Sequence, residues 1–281
     1  MGNPCCRSKG KEISEFTNNN NTDIIRRDNV GQEYVQYIIK IQKWFRKIKR
    51  MKKFKYREFG DIKIQEIIDK MADASTNPIV LSMEKNLGDF KYKEHQKDGV
   101  QREFLNLTYL DNGAQYYGEW KVDSKERDGF GIQIWPDGSK YIGYWKNDKA
   151  NGFGRIIHSD GDAYEGEWKS DKADGFGKYF HKDSSQYAGF WKDDQQHGKG
   201  KETWADGSKY IGHYNNGIKE GEGEFIWPDS YSFKGQFFNN KINGFGVYKW
   251  SDERMYIGSW KDNKMHGKGI FTWKDGRKYE G

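Results

Sequence analysis

The sequence predicts a mainly β protein, an array of short antiparallel hairpins whose core is one side chain thick. Three periodic features predict it. An aromatic residue recurs at Tyr116, Tyr141, Tyr164, Tyr187, Tyr210, Phe233, Tyr256 and Tyr279, spaced 25 residues once and 23 thereafter. Two positions later stands a glycine every time (Gly118, Gly143, Gly166, Gly189, Gly212, Gly235, Gly258, Gly281), and four positions later a second ring (Trp120, Trp145, Trp168, Trp191, Tyr214, Phe237, Trp260). A G-x-G pair then follows in each unit, as Gly129/Gly131, Gly152/Gly154, Gly175/Gly177, Gly198/Gly200, Gly221/Gly223, Gly244/Gly246 and Gly267/Gly269.

Steps of two are strand periodicity, so Tyr141, Gly143 and Trp145 share one face of a strand. A short polar loop such as KNDKAN leads to the G-x-G strand, which makes one hairpin per unit. Asp137-Gly138, Asp160-Gly161, Asp206-Gly207 and Asp275-Gly276 read as tight hairpin turns with positive φ. Asp183-Ser184, Asp229-Ser230 and Asp252-Glu253 lack that glycine, and their turns are expected to differ or to be strained. Glycine weakens a strand unless something must come close to the backbone. Each missing side chain is therefore read as a slot for a ring of the neighbouring strand. Two large rings contribute roughly 3 kcal/mol each, whereas ordering a residue costs about 1.5 kcal/mol. One unit cannot fold alone, but an array with shared interfaces can.

The skeleton Y-x-G-x-W followed by G-x-G resembles the MORN repeat (membrane occupation and recognition nexus). The resemblance covers residues 110–281, as seven repeats and the start of an eighth. It implies an elongated, twisted, single-layer antiparallel sheet, of which fourteen strands span on the order of 65 Å. It assigns structural roles to Tyr141, Gly143, Trp145, Gly152, Gly154, Tyr164, Gly166, Trp168, Gly175, Gly177, Tyr187, Gly189, Trp191, Tyr210, Gly212, Tyr256, Gly258 and Trp260. It implies phospholipids, cytoskeletal or cortical proteins, and homo-oligomers as partners.

Ahead of the array, residues 1–30 read as a disordered arm. MGNPCC resembles a dual-acylation sequence, with Gly2 the myristate acceptor and Cys5 and Cys6 the palmitate acceptors, although Cys6 stands where the pattern has Ser or Thr. One chain anchors only marginally, and the adjacent cysteines and nearby basic residues supply a second signal. Residues 31–75 read as a basic amphipathic helical segment. Tyr34, Ile38, Ile41, Phe45, Ile48 and Met51 form one stripe, and ten Lys or Arg with no acid lie between Lys40 and Arg57. Ile41-Gln42 with Arg46 resembles the IQ motif, whose later basic position falls on Met51 next to Arg50. A calmodulin-like protein, an anionic bilayer and the β-array itself all suit this stripe, in that order. Residues 76–109 read as a linker, with Pro78 ending a helix over 62–75, and a strand at Arg102 that caps the first edge of the array.

Composition excludes several classes. The chain has 281 residues, 34% hydrophobic and 32% charged, with mean hydropathy −1.10. It contains no apolar run of membrane-spanning length. Its only cysteines are Cys5 and Cys6, too few for a disulfide framework, which points to a reducing interior. From residue 101 on there are 27 basic and 28 acidic residues, a balance unsuited to a nucleic-acid groove. His158 and His181 occupy the column held elsewhere by Trp135, Trp204, Trp227, Trp250 and Trp273, and no spacing resembles a zinc site. No helix follows the G-x-G pairs, so they are not phosphate loops. The reading is of no catalytic residues, no metal and no cofactor. It expects a non-enzymatic scaffold on the cytoplasmic face of the plasma membrane or an internal membrane, at the cell cortex or cilium. The alternative is the regulatory module of a lipid kinase or methyltransferase-type enzyme whose catalytic part lies outside this chain.

Overall fold

The computed structural model describes residues 75–91 and 99–281. They form one helix, α1 (Pro78–Leu87), and one sheet. The first strands are β1 (Arg102–Tyr109), β2 (Gln115–Lys121), β3 (Arg127–Ile134), β4 (Lys140–Lys146), β5 (Lys149–Ile157), β6 (Ala163–Lys169), β7 (Lys172–Phe180) and β8 (Gln186–Lys192). The remainder are β9 (Gln195–Thr203), β10 (Lys209–Asn215), β11 (Ile218–Ile226), β12 (Ser232–Phe238), β13 (Lys241–Lys249), β14 (Met255–Lys261), β15 (Lys264–Thr272) and β16 (Lys278–Glu280). All sixteen pair in sequence order, and every pairing is antiparallel. The predicted fold class is the one observed.

The registers place Tyr141 opposite Ile156, Gly143 opposite Gly154 and Trp145 opposite Ala150, on what we call the ring face. Lys140, Ile142 and Tyr144 point to the reverse face by alternation. Between Gly143 and Trp145 the register slips by a bulge, and the same slip recurs in the other repeats.

Two kinds of turn alternate. The polar stretch read as a short loop is a two-residue hairpin, with positive φ at both positions: Asn147 (50°) and Asp148 (64°), or Asp193 (47°) and Asp194 (66°). These mirror-image turns match the right-handed twist of the flanking strands. The Asp-Gly pairs instead sit in a longer connection. Gly138 N–H donates to the Trp135 carbonyl at 2.9 Å, and Trp135 N–H to the Ser139 carbonyl at 3.0 Å. Only the glycine has positive φ there (86°). The three variant turns keep this form, because Ser184 N–H still reaches the His181 carbonyl at 3.0 Å. They carry the strain as positive φ on Ser184 (72°), Ser230 (65°) and Glu253 (72°).

Residues 76–109, read as linker and capping strand, contain a helix. Pro78 starts α1: it sits at the first turn, where its missing N–H costs nothing, and Asn77 caps the end by accepting from Ile79 N–H at 2.9 Å. The helix read over 62–75 lies, but for its last residue, outside the described residues. The segment lies on the reverse face of the first repeats. Val80 is buried with Ile157 and Ala163. Phe90 stacks on Phe153 at 5.7 Å. Ser75 Oγ donates to the Gly138 carbonyl at 2.9 Å, Lys140 pairs with Glu84 at 2.8 Å, and Arg155 donates to the Gly88 carbonyl at 2.7 Å. Burying Val80 and Phe90 contributes about 1.5–3 kcal/mol each.

Candidate functional site

The ring face is built from the repeat residues. Tyr141 lies flat along its own strand and across the next, with its hydroxyl donating to the Tyr144 carbonyl at 3.0 Å in the bulge. The same bond recurs for Tyr116, Tyr164, Tyr187, Tyr210 and Tyr256, at 2.9–3.3 Å. A Cβ on Gly143 would stand 2.8 Å from that hydroxyl, and one on Gly154 would stand 2.6 Å from the ring carbon bearing it. The ring thus covers a glycine of its own strand as well as one of the neighbour, where the sequence suggested only the neighbour. Burial holds the phenols of Tyr116 and Tyr141 well above their ordinary pKa.

Each such ring from Tyr116 to Phe233 is gripped edge-on by two others, and Tyr256 by one. Tyr141 meets Trp145 at 4.9 Å and Trp168, from the next repeat, at 5.5 Å; Tyr164 meets Trp168 at 5.1 Å and Trp191 at 5.3 Å. Tyr187, Tyr210, Phe233 and Tyr256 continue the chain with Tyr214, Phe237 and Trp260. Edge-on ring pairs add about 0.5–1.5 kcal/mol beyond area burial. Indole Nε1 of Trp168 donates to the Gly154 carbonyl of the preceding unit at 3.1 Å. Trp120 Nε1 and Trp260 Nε1, at the two ends of the row, are buried without a partner.

The two glycines of G-x-G do different work. Gly154 makes room for a ring, whereas Gly152 is the bulge, with φ +101°. Gly152, Gly175 and the other first glycines were read as slots like their partners, and nothing in the letters separates the two roles.

Successive repeats are also fastened through the two-residue turns, a contact that the sequence did not reveal. Asp171 Oδ1 accepts from Ala150 N–H at 2.7 Å, while Asp171 N–H donates to the Ala150 carbonyl at 3.0 Å. Asp148, Asp194, Asn240 and Asn263 repeat the reciprocal pair with Arg127, Ala173, Lys219 and Ile242. Gly217 keeps only the backbone half, to Gln196.

Along the longer turns a second row of rings lies half-buried on the ring face. From Trp204 it steps to Phe225 (5.2 Å), Trp227 (4.5 Å), Tyr248 (5.6 Å), Trp250 (4.5 Å), Phe271 (5.3 Å) and Trp273 (4.6 Å). Lys219 stands 5.0 Å over Trp204, Arg254 5.5 Å over Trp250 and Arg277 5.6 Å over Trp273. In the earlier repeats the same columns hold Ile156, His158, Tyr179 and His181. There Asp162 accepts from the Tyr179 hydroxyl and faces His181 Nδ1, each at 3.0 Å. Burial, reinforced by Asp162, pushes the Tyr179 phenol up to about 12. Those two histidines belong to the sheet surface, and no cluster of His, Cys, Asp and Glu fit for a metal occurs among the described residues.

The structure brings the repeat residues from Tyr141 to Trp260 into this one spine. Gly2, Cys5, Cys6, Ile38, Ile41, Gln42, Phe45, Arg46, Ile48, Arg50 and Met51 lie outside the described residues. Among the described residues no helix is long and apolar enough to cross a membrane.

A repeat of hairpins with rings seated on glycines defines a β-repeat binding protein. The family model for the MORN repeat matches residues 116–140, 141–163, 164–186, 187–209, 210–230, 233–253 and 256–276, and the chain belongs to the MORN-repeat family. No curated protein matches it. Among solved structures it is similar to the SAS-4 (dCPAP) TCP domain of Drosophila melanogaster in complex with a proline-rich motif of Ana2, at 12% identity and TM-score 0.33, over 69% of this chain and 98% of that one. The TCP10 domain of Danio rerio CPAP has 11% identity and TM-score 0.38, over 62% and 82%. Neither likeness bears on function.

Proposed function

We propose that this MORN protein is a non-enzymatic scaffold that binds protein partners on its ring face and is held at the cytoplasmic side of a membrane by its N-terminal arm. The observation that carries the reading is the half-buried aromatic row from Trp204 to Trp273, which runs across four repeats beyond what the spine needs. Rings that are amphipathic, rigid and only partly covered are the groups that dominate protein interfaces. The near-balance of charge over the array favours protein over phospholipid as its ligand. Gly2 with Cys5 and Cys6 is the attachment sequence, and the basic stripe through Ile38, Ile41, Phe45, Arg46 and Met51 takes a calmodulin-like protein, with the bilayer as its competitor.

Proximity labelling in cells tests the parts separately. Gly2→Ala is expected to release the protein from membranes, and Trp227→Ala with Trp250→Ala to remove most labelled proteins while leaving the address unchanged. Ile41→Asp with Arg46→Asp is expected to remove a calmodulin-type partner alone. Membrane retention of Gly2→Ala would end the anchoring role, and a label set indifferent to the two tryptophans would end the ring-face role.

A further inference from the structure

The tryptophans of the second row differ from those of the spine in what their indole nitrogens do. In the spine, Nε1 of Trp145, Trp168 and Trp191 donates to a glycine carbonyl of the preceding unit, at 3.1–3.4 Å. In the second row, Nε1 of Trp204, Trp227, Trp250 and Trp273 has no partner among the described residues, and all four side chains reach solvent. Arg254 and Arg277 engage Asp252 and Asp275 through Nε alone, at 2.7 Å, which leaves their terminal nitrogens to solvent. By alternation no Asp or Glu of β10–β16 falls on the ring face. The surface along the row is therefore rich in donors and poor in acceptors.

Equivalent tryptophans of the row stand two strands apart, about 9.6 Å. Successive rings are inclined at 27–57° to one another, so the row is corrugated along the direction in which the repeats follow. A polyproline II helix turns once in three residues and about 9.3 Å, with no internal hydrogen bonds and its carbonyls open to partners. Over the three steps from Trp204 to Trp273 the two periods drift apart by only about 1 Å. Seven residues of α-helix rise about 10.5 Å, and the drift reaches about 3 Å. In an extended strand every third residue alternates between faces, so such residues cannot all meet the row. Proline fits the row chemically as well, because it brings a carbonyl and no N–H to a surface of donors. We propose that the row from Trp204 to Trp273 binds a protein segment in the polyproline II conformation, with a proline at every third position packed against successive tryptophans and its carbonyls accepting from their indole N–H groups.

The row also sets the length and the charge of its ligand. Upstream the same columns hold Glu202, His181 and Tyr179, and Asp162 engages the last two, so the platform begins at Trp204. Four tryptophans take about ten residues of such a helix. Arg254 and Arg277, at the far end, favour an acidic residue beside the last prolines. A segment that is already a polyproline II helix in solution loses little entropy on binding, which suits a shallow surface. This names the partner chemistry of the ring face, and it rests on the reading of that face as a protein-binding surface.

Two synthetic peptides test it, each with the same number of prolines, placed at every third position in one and at every fourth in the other. Titrated into the full chain, the first is expected to bind with a Kd on the order of 100 µM or below, and the second at least about tenfold more weakly. In NMR spectra the indole N–H signals of Trp227 and Trp250 are expected to move on binding. Those of Trp145 and Trp168, already bonded in the spine, are expected to stay in place. Trp227→Phe with Trp250→Phe keeps two rings and removes two donors, and is expected to weaken the first peptide about tenfold; circular dichroism checks that the variant folds. Equal affinity for the two peptides, a variant that binds as the wild type does, or tighter binding of an amphipathic helical peptide would each overturn the proposal. If neither peptide binds at about 1 mM while labelling in cells still depends on Trp227 and Trp250, the proline ligand fails and the ring-face scaffold stands. If labelling is indifferent to them too, both fail.

Discussion

At the scale of the residue, glycine serves this sheet in two ways. At Gly177 the demand is for space, since an added Cβ would stand 2.5 Å from the Tyr164 ring. At Gly175 the demand is conformational, with φ +112° outside the left-handed region that other residues tolerate, and a Cβ would also meet Glu167 Cβ at 2.8 Å. Gly198, in the same column, has φ +66° and only Phe190 Cβ near it, at 3.6 Å. Gly175→Ala is therefore expected to destabilise by about 2–3 kcal/mol, and Gly198→Asn by less than about 1 kcal/mol, because asparagine adopts that region most readily. Urea midpoints of the two variants, measured side by side, check this; equal shifts would show that the bulge is not under conformational control.

At the scale of the element, the hairpin and its partner rings were legible because the Y-x-G-x-W column fixes both face and period. The role of the turns was not. Asp171 and Ala150 are 21 residues apart and belong to different repeats, so their reciprocal bonds leave no local mark; a polar dipeptide between strands reads only as a loop. Nor was α1 legible. Ten residues beginning at Pro78 carry too little periodicity to compete with the boundary signal of proline. The clue was in the sheet: Phe130, Ile132, Ile134, Ile142 and Tyr144 make the reverse face of the first repeats apolar, and an apolar face needs a cover. Gly217 gives the turn fastening a direct test. Its φ of +80° is close to that of Asn240 (64°) and Asn263 (67°). Gly217→Asn is expected to add a bond to Gln196 N–H and to stabilise by about 0.5–1 kcal/mol, from that bond and from a stiffer unfolded chain. A thermal midpoint that does not rise would show that the fastening contributes nothing in that repeat.

At the scale of the whole molecule, the buried phenols tie stability to alkali. Tyr116, Tyr141, Tyr187 and Tyr210 all ionise well above their ordinary value of 10.0, with burial the largest cause. A folded pKa raised above the unfolded one means that this contribution is complete below about pH 10 and fades as the pH climbs past it. Several tyrosines respond together, so the loss is expected to be steep, with denaturant midpoints constant from neutral pH to about 9.5 and falling sharply beyond. Phenolate absorbance rising together with loss of β-sheet signal checks it; phenolate appearing while the sheet stays intact would contradict the burial.

The order of the strands has a mechanical corollary. Because neighbours in sequence are neighbours in the sheet throughout, the ladder bonds point along the direction in which the repeats succeed one another. Tension applied to both ends of the array would open hairpins singly, as a zipper parts, and would never load many bonds in shear at once. Such a ribbon yields at low force in small steps and closes again when slack returns. Among the inner junctions between repeats, the one at β9–β10, where Gly217 offers Gln196 one bond instead of two, is where the first tooth would part.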